Sequence, residues 1–222
     1  MLKVTFFHDV ICPFCYVTSK RLRRVVPEFK VEVVHKSFSI ISSLEDLKFV
    51  APDEESVREF FKSEFSILKR FMPDYEEGKV ISKGNLGYVW SMPPLMACKA
   101  AEFQRGSEGY WEYFDRAQDA FFLEGQNVAD EEVLLSIAKS LNFDVERFRE
   151  DMGAKKTKLA VISDEEEARA MGIRGVPALI INDQWIVRGV PTEEKLRDVF
   201  SDIEAHGEPR KVRLKAYWEK DD

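Results

Sequence analysis

The chain has 222 residues, 45% of them hydrophobic and 33% charged, with a net charge of -7 and a pI near 5.2. That supports one sizeable core, or one core carrying a subdomain, and the acidic balance argues against a nucleic-acid groove, which needs a concentrated basic face. No run approaches the ~20 apolar residues of a membrane span, and the N-terminus offers neither a basic leader nor an apolar segment with a cleavage site. A cytoplasmic protein without nucleic-acid or membrane partners is therefore expected, in which three cysteines suit catalysis or redox sensing better than structural crosslinking.

In chain order, Lys3 to Phe7 is rich in β-branched and aromatic residues and reads as a short buried strand. His8 to Ile11 turns into Cys12-Pro13-Phe14-Cys15, and a helix is expected from Tyr16 to Val26, closed by Pro27. Its Lys20, Arg21, Arg23 and Arg24 read as a solvated face. Val31 to Phe38 is a second strand, so the opening is a βαβ unit with parallel strands. From about Pro52 the pattern is helical. Asp53 to Met72 carries apolar residues at helical spacing, and 73–92, with Gly78, Gly84 and Gly87, reads as a long connection. Helices follow from Pro93-Pro94 to Gly106 and from Glu108 to Leu123. Asp130 caps one over Val133 to Leu141, Asp144 begins a short one through Phe148, and Ala154 to Met171 ends at Gly172. Ala178 to Ile181 and Trp185 to Arg188 are strands joined by a turn at Asn182-Asp183-Gln184, and Thr192 caps a last helix through Ile203. The charged tail, 206–222, could be anchored by Leu214, Tyr217 and Trp218. The order is βαβ, a helical block, then ββα. It divides the chain into 1–50 with 154–205, a helical insertion at 51–153, and the tail.

The chemistry concentrates at Cys12 and Cys15. Two thiols three positions apart at a helix entrance should have Cα atoms roughly 5 to 6 Å apart, within reach of a disulfide. The first sulfur faces the unpaired N–H groups and the positive end of the helix dipole, which favours its thiolate. Pro13 suits the first turn, where its missing N–H costs nothing. Half of a zinc site is the competing reading. A four-cysteine site lacks partners, because only Cys98 remains, and His8, His35 and His206 are dispersed along the chain. Cys98 itself reads as a buried, inert thiol, and Asp9 is as well explained by capping as by proton transfer. Before the third strand stands Gly175-Val176-Pro177. An ordinary trans proline opening a strand is the simpler local reading, whereas a cis bond would turn the Val176 backbone outward to pair with an extended peptide.

His8-Asp9-Val10-Ile11-Cys12-Pro13-Phe14-Cys15-Tyr16, with Gly172-Ile173-Arg174-Gly175-Val176-Pro177-Ala178 after a helical insertion, resembles the thioredoxin superfamily. More narrowly it resembles the DsbA-type group that includes FrnE-like proteins and 2-hydroxychromene-2-carboxylate isomerases. The resemblance implies an α/β, thioredoxin-like fold with βαβ and ββα halves and a large all-helical insertion. It also implies a cis Val176-Pro177 bond beside the cysteines. The activity implied is thiol-disulfide exchange with protein or small-thiol substrates. Cys12 and Cys15 would be catalytic, with Cys12 forming the mixed disulfide and Cys15 resolving it, and Pro13, Phe14, Val176 and Pro177 would contact substrate. No metal is implied, and no cofactor beyond the redox-active disulfide, with glutathione as an optional co-substrate. Isomerases and kappa-class glutathione transferases of similar architecture typically carry serine where this chain has Cys12. A glutathione-dependent isomerase or transferase is thus the alternative enzyme, and a redox-sensing binding module the non-enzymatic one. Phe14 stands where DsbA has a histidine, which puts a very strongly oxidising potential in doubt.

Overall fold

The computed structural model describes residues 1–212 and 214–216. Strands β1 (Leu2–His8) and β2 (Val31–Ser37) run parallel, with helix α1 (Pro13–Val25) crossing between them. Strands β3 (Ala178–Ile181) and β4 (Trp185–Arg188) form an antiparallel hairpin, and β3 also pairs antiparallel with β1. With β5 (Lys215–Ala216) at one edge, the sheet order is β2-β1-β3-β4-β5. β1 therefore lies inside the sheet, and all of it except Lys3 is buried. A strand covered on both faces needs no polar alternation, which is why Val4, Thr5, Phe6 and Phe7 follow one another. Asn182 and Asp183 turn the hairpin with positive φ, as the small polar turn residues suggest.

Between β2 and β3 come α2 (Leu44–Val50), α3 (Glu54–Ser66), α4 (Glu77–Lys83), α5 (Met92–Phe122), α6 (Glu131–Ser140), α7 (Val145–Gly153) and α8 (Lys155–Ala170), and α9 (Glu193–His206) follows β4. α5 is broken at Arg105 and Gly106, whose φ of 63° only glycine adopts freely. It supplies much of the core through Tyr110, Tyr113, Phe114, Phe121 and Phe122. The expected connection over 73–92 contains α4. Its glycines read as breakers, but Gly84 serves close packing: a Cβ there would sit 2.1 Å from the Gly125 carbonyl oxygen. The described part of the tail, 206–212 and 214–216, makes specific contacts. Asp202 accepts the amides of Arg210 and Lys211, and Lys215–Ala216 (β5) pairs with β4. Leu214 packs on the core, while Tyr217 and Trp218 lie outside the described residues.

Two buried polar clusters tie this packing together. Lys99 of α5 meets Asp164 of α8 at 2.8 Å, each side chain only 6% exposed, and Asp164 also binds Lys36 and accepts the Ser37 amide of β2. α8 buries few apolar side chains, chiefly Val161 and Ala168, so this charge network is a principal tie between α8 and its neighbours.

The second cluster is a histidine pair. His8 and His35, far apart in sequence, stand on adjacent strands with Nε2 and Nδ1 3.1 Å apart, enclosed by Phe6, Tyr110, Trp111 and Phe114. Burial first, then the charges of His35 and Lys99, lowers the His8 pKa well below 6.5, and burial with Arg23 and Lys99 does the same to His35. The unfolded chain takes up protons near pH 6.5 that the folded chain refuses. The pair's contribution is therefore present above that value and lost as pH falls. Denaturant titrations at pH about 8 and about 6 should show this loss, with the slope roughly halved in His8→Gln. An unchanged slope in the variant would assign the pH dependence elsewhere.

Candidate active site

Cys12 is the N-cap of α1, with extended backbone (φ -89°, ψ 116°), and Pro13 follows as its first residue. The Tyr16 amide donates to the Cys12 carbonyl, closing the first turn. Both cysteines are buried thiols in this structure, Cys12 at 4% and Cys15 at 0% exposure. Cys15, inside the helix, is held protonated. Burial pushes its pKa well above 9.0, and the neighbouring Cys12 sulfur and the Asp9 charge push it further, against a smaller opposing effect of the Asp9 backbone.

Across the chain, the Val176-Pro177 bond is cis, and the Cys12 thiol donates to the Val176 carbonyl at 3.8 Å. Two segments 164 residues apart therefore meet. The simpler local reading of a trans proline is corrected here. Pro177 is buried, Val176 half-buried, and the Pro177 carbonyl accepts the Gly189 amide. Pro13 is buried in the first turn, and Phe14 is partly exposed, its ring edge-on to Phe71 with centroids 6.3 Å apart.

Asp9, left unassigned from sequence, supports the turn into the cysteines. One carboxylate oxygen accepts the Ile11 amide at 3.2 Å and the other the Ile40 amide at 2.8 Å, with a further bond from the Ser91 side chain. Burial outweighs these bonds and raises its pKa to about 6. Cys98 lies buried in α5, where burial pushes its thiol well above 9.0.

Sequence reasoning missed how α1 is held. Asp115 accepts from Ser19 and Arg23, and Asp119 accepts from Tyr16 and Lys20, while the Trp111 indole donates to Ser19. Lys20 and Arg23 are thus not simply solvated, and Arg23 also lies 3.8 Å above the Trp111 ring. The signal was present: carboxylates four apart on one helix can face basic and hydroxyl groups four apart on another.

A family model described as Thioredoxin matches residues 6–190. The chain belongs to the thioredoxin family. Within it, the fold of this thioredoxin-family chain is DsbA-like. It superposes on a candidate protein disulfide isomerase from Nitrosomonas europaea with a TM-score of 0.72, at 16% identity, over 93% of this chain and 99% of that one. The cytosolic disulfide reductase DsbM from Pseudomonas aeruginosa, solved with GSH, gives 0.65 at 17% identity over 91% and 96%. Among curated relatives, the ClpXP adapter protein SpxH of Bacillus subtilis is 23% identical over 80% of this chain, which spans 57% of that relative's length. No helix among the described residues is long and apolar enough to cross a membrane.

Proposed function

We propose that the chain is a thiol-disulfide oxidoreductase acting on protein or small-thiol substrates through Cys12 and Cys15. The observation that carries this reading is the Cys12 thiol at a helix N-cap, within 3.8 Å of the Val176 carbonyl. In the oxidising direction a substrate thiolate attacks the Cys12 sulfur of the Cys12–Cys15 disulfide. The electron pair of the broken bond leaves on Cys15, which takes up a proton. A second substrate thiolate then attacks the substrate sulfur of the mixed disulfide, releasing Cys12 and a substrate disulfide; reduction is the reverse. Pro13, Phe14, Val176 and Pro177 border the reacting sulfur and would receive the substrate. Glutathione is retained as a co-substrate, a reading supported by the GSH-bound DsbM structure. A cytoplasmic location is likewise proposed, since DsbM is described as cytosolic. The test is reduction of the oxidised protein in glutathione buffers, which should convert Cys12 and Cys15 together in one two-electron step.

Asp9 acts in this scheme as a positioning residue. Its carboxylate charge opposes a thiolate at Cys15, so exchange should change slope as Asp9 ionises near pH 6. Asp9→Asn is expected to remove that inflection from the pH profile of kcat/KM while retaining the high-pH limb set by the thiols. An inflection that survives the substitution rules Asp9 out. Folding carries the same sign. A carboxyl whose folded pKa lies above the ordinary 3.8 favours the fold at low pH, and that contribution is lost as pH rises through about 6.

A second reading, a redox-responsive binding module without turnover, is favoured by the similarity to SpxH. Partner binding that persists after both cysteines are replaced, with no exchange activity in the parent chain, would select it. The glutathione-dependent isomerase or transferase reading is the weaker, because Cys12 stands where those enzymes typically carry serine.

A further inference from the structure

From Tyr16, the residue after Cys15, a groove runs along the side of α1. It encloses about 480 Å³ and is bordered by Tyr16, Val17, Arg21 and Arg24, by Phe71 and Met72, and by Thr192–Glu193 at the start of α9. It is continuous with the motif, since Phe14 packs edge-on against Phe71. On a chain of net charge -7, this groove is bordered by three cations, Lys20, Arg21 and Arg24, against the single carboxylate of Glu193. Lys20 is neutralised by Asp119, and Arg24 by Glu193, which Arg197 also pairs. Arg21 is different. Its guanidinium donates to the Pro191 carbonyl at 2.7 Å and lies 5.4 Å above the Phe71 ring, and no carboxylate pairs with it among the described residues. It is a cation held in place, with donors to spare, between apolar walls. A planar guanidinium fixed in this way is matched by a carboxylate, which takes two parallel hydrogen bonds from it.

We propose that the groove receives an extended segment of a protein substrate and that Arg21 binds an acidic side chain on it. This rests on the oxidoreductase reading for its reacting cysteine and adds the substrate class. Arg21 lies two turns after Phe14 on the same face of α1, both touching Phe71, and nine positions after Cys12, about 13 Å along the helix at 1.5 Å per residue. An extended peptide covers that in about four residues at about 3.3 Å each. The preferred substrate therefore carries Asp or Glu about four residues from its reactive cysteine, with an apolar residue between them to lie on Val17 and Phe71. Glutathione is too short for both ends, because even its farther carboxylate, on the γ-glutamyl arm, lies within roughly 10 Å of its sulfur when extended.

The test uses the full chain and fluorescent heptapeptides with glutamate or lysine four positions from a cysteine, each also made with serine in place of the cysteine. Binding of the serine peptides reports the groove alone, and exchange with the cysteine peptides reports the chemistry. The glutamate peptide should bind roughly 10-fold more tightly than the lysine peptide. The preference should shrink as salt rises, persist in Arg21→Lys and invert in Arg21→Glu. Inversion is a result that mere loss of a structural contact does not produce. Equal binding of the two peptides, or the same preference in Arg21→Glu as in the parent, overturns the proposal, as does displacement of the glutamate peptide by glutathione at equal concentration. Discrimination in binding without exchange would leave the groove standing and overturn the oxidoreductase reading instead.

Discussion

Cys15→Ser, isolated from cells without reductant, is expected to carry disulfide-linked partners, and Cys12→Ser to carry few. Cys12 stands at the helix entrance against the Val176 carbonyl, while Cys15 is fully buried and held protonated by burial. A substrate sulfur thus meets Cys12 first, and escape depends on a neighbour one turn away. Such a neighbour competes at a very high effective concentration against thiols in solution, so its removal should lengthen the life of the mixed disulfide by about 10³-fold or more. Non-reducing electrophoresis followed by identification of the bound species reads the outcome. Equal trapping by the two variants, or trapping by Cys12→Ser alone, would overturn the assignment of roles. Glutathione as the sole adduct would shift the substrate class to small thiols. Cys98, buried within α5, should stay unlabelled in either case.

Asp164→Ala should give the largest loss of stability. The substitution removes the anion from a buried cluster, leaving the Lys99 ammonium with only the more exposed Glu102, and the Ser37 amide without its acceptor. Breaking one side of a buried pair costs about 3–5 kcal/mol, and for a chain of this size the melting temperature should fall on the order of 10 °C. Replacing both partners, Asp164→Leu with Lys99→Met, should restore much of the loss, because the cost comes from the stranded charge more than from a missing attraction. A loss under about 1 kcal/mol in denaturant titrations of Asp164→Ala would show that water reaches the cluster.

What could be read in the sequence was whatever depends on neighbours along the chain. The strand-to-helix setting of Cys12 and Cys15, the break at Gly106, the cap at Asp130 and the hairpin at Asn182-Asp183 are local, and each stands where its residue types place it. Helix α2 shows no apolar stripe in sequence, since only Leu47 of its seven residues is buried, although Ser43 caps it by accepting the Asp46 amide. The glycines of α4 advertise a loop, whereas the contact between Gly84 and Gly125 belongs to tertiary packing. At the site, the pairing of Cys12 with Val176 was reached only through family resemblance. The surroundings of Asp9 depend on Ile40 and Ser91, which no spacing rule connects to it. His8 and His35 are far apart in the sequence, and strand register alone makes them neighbours.

The contacts between α1 and α5 bear on how accurately the reactive sulfur is aimed. Tyr16 and Lys20 meet Asp119, Ser19 and Arg23 meet Asp115, and Trp111 adds a bond to Ser19. Residue numbers rise along one helix as they fall along the other, so the two columns interlock like opposed combs with a pitch of one turn. Sliding α1 by about 5.4 Å would set Ser19 and Arg23 against Asp119 and strand Asp115 without a partner, while smaller slips would stretch every bond at once. A greasy interface tolerates gradual creep; directional bonds at one-turn intervals permit only discrete seats, and all but one of them leave a charge unmatched. The helix that carries Cys12 and Cys15 is thereby indexed against the second half of α5.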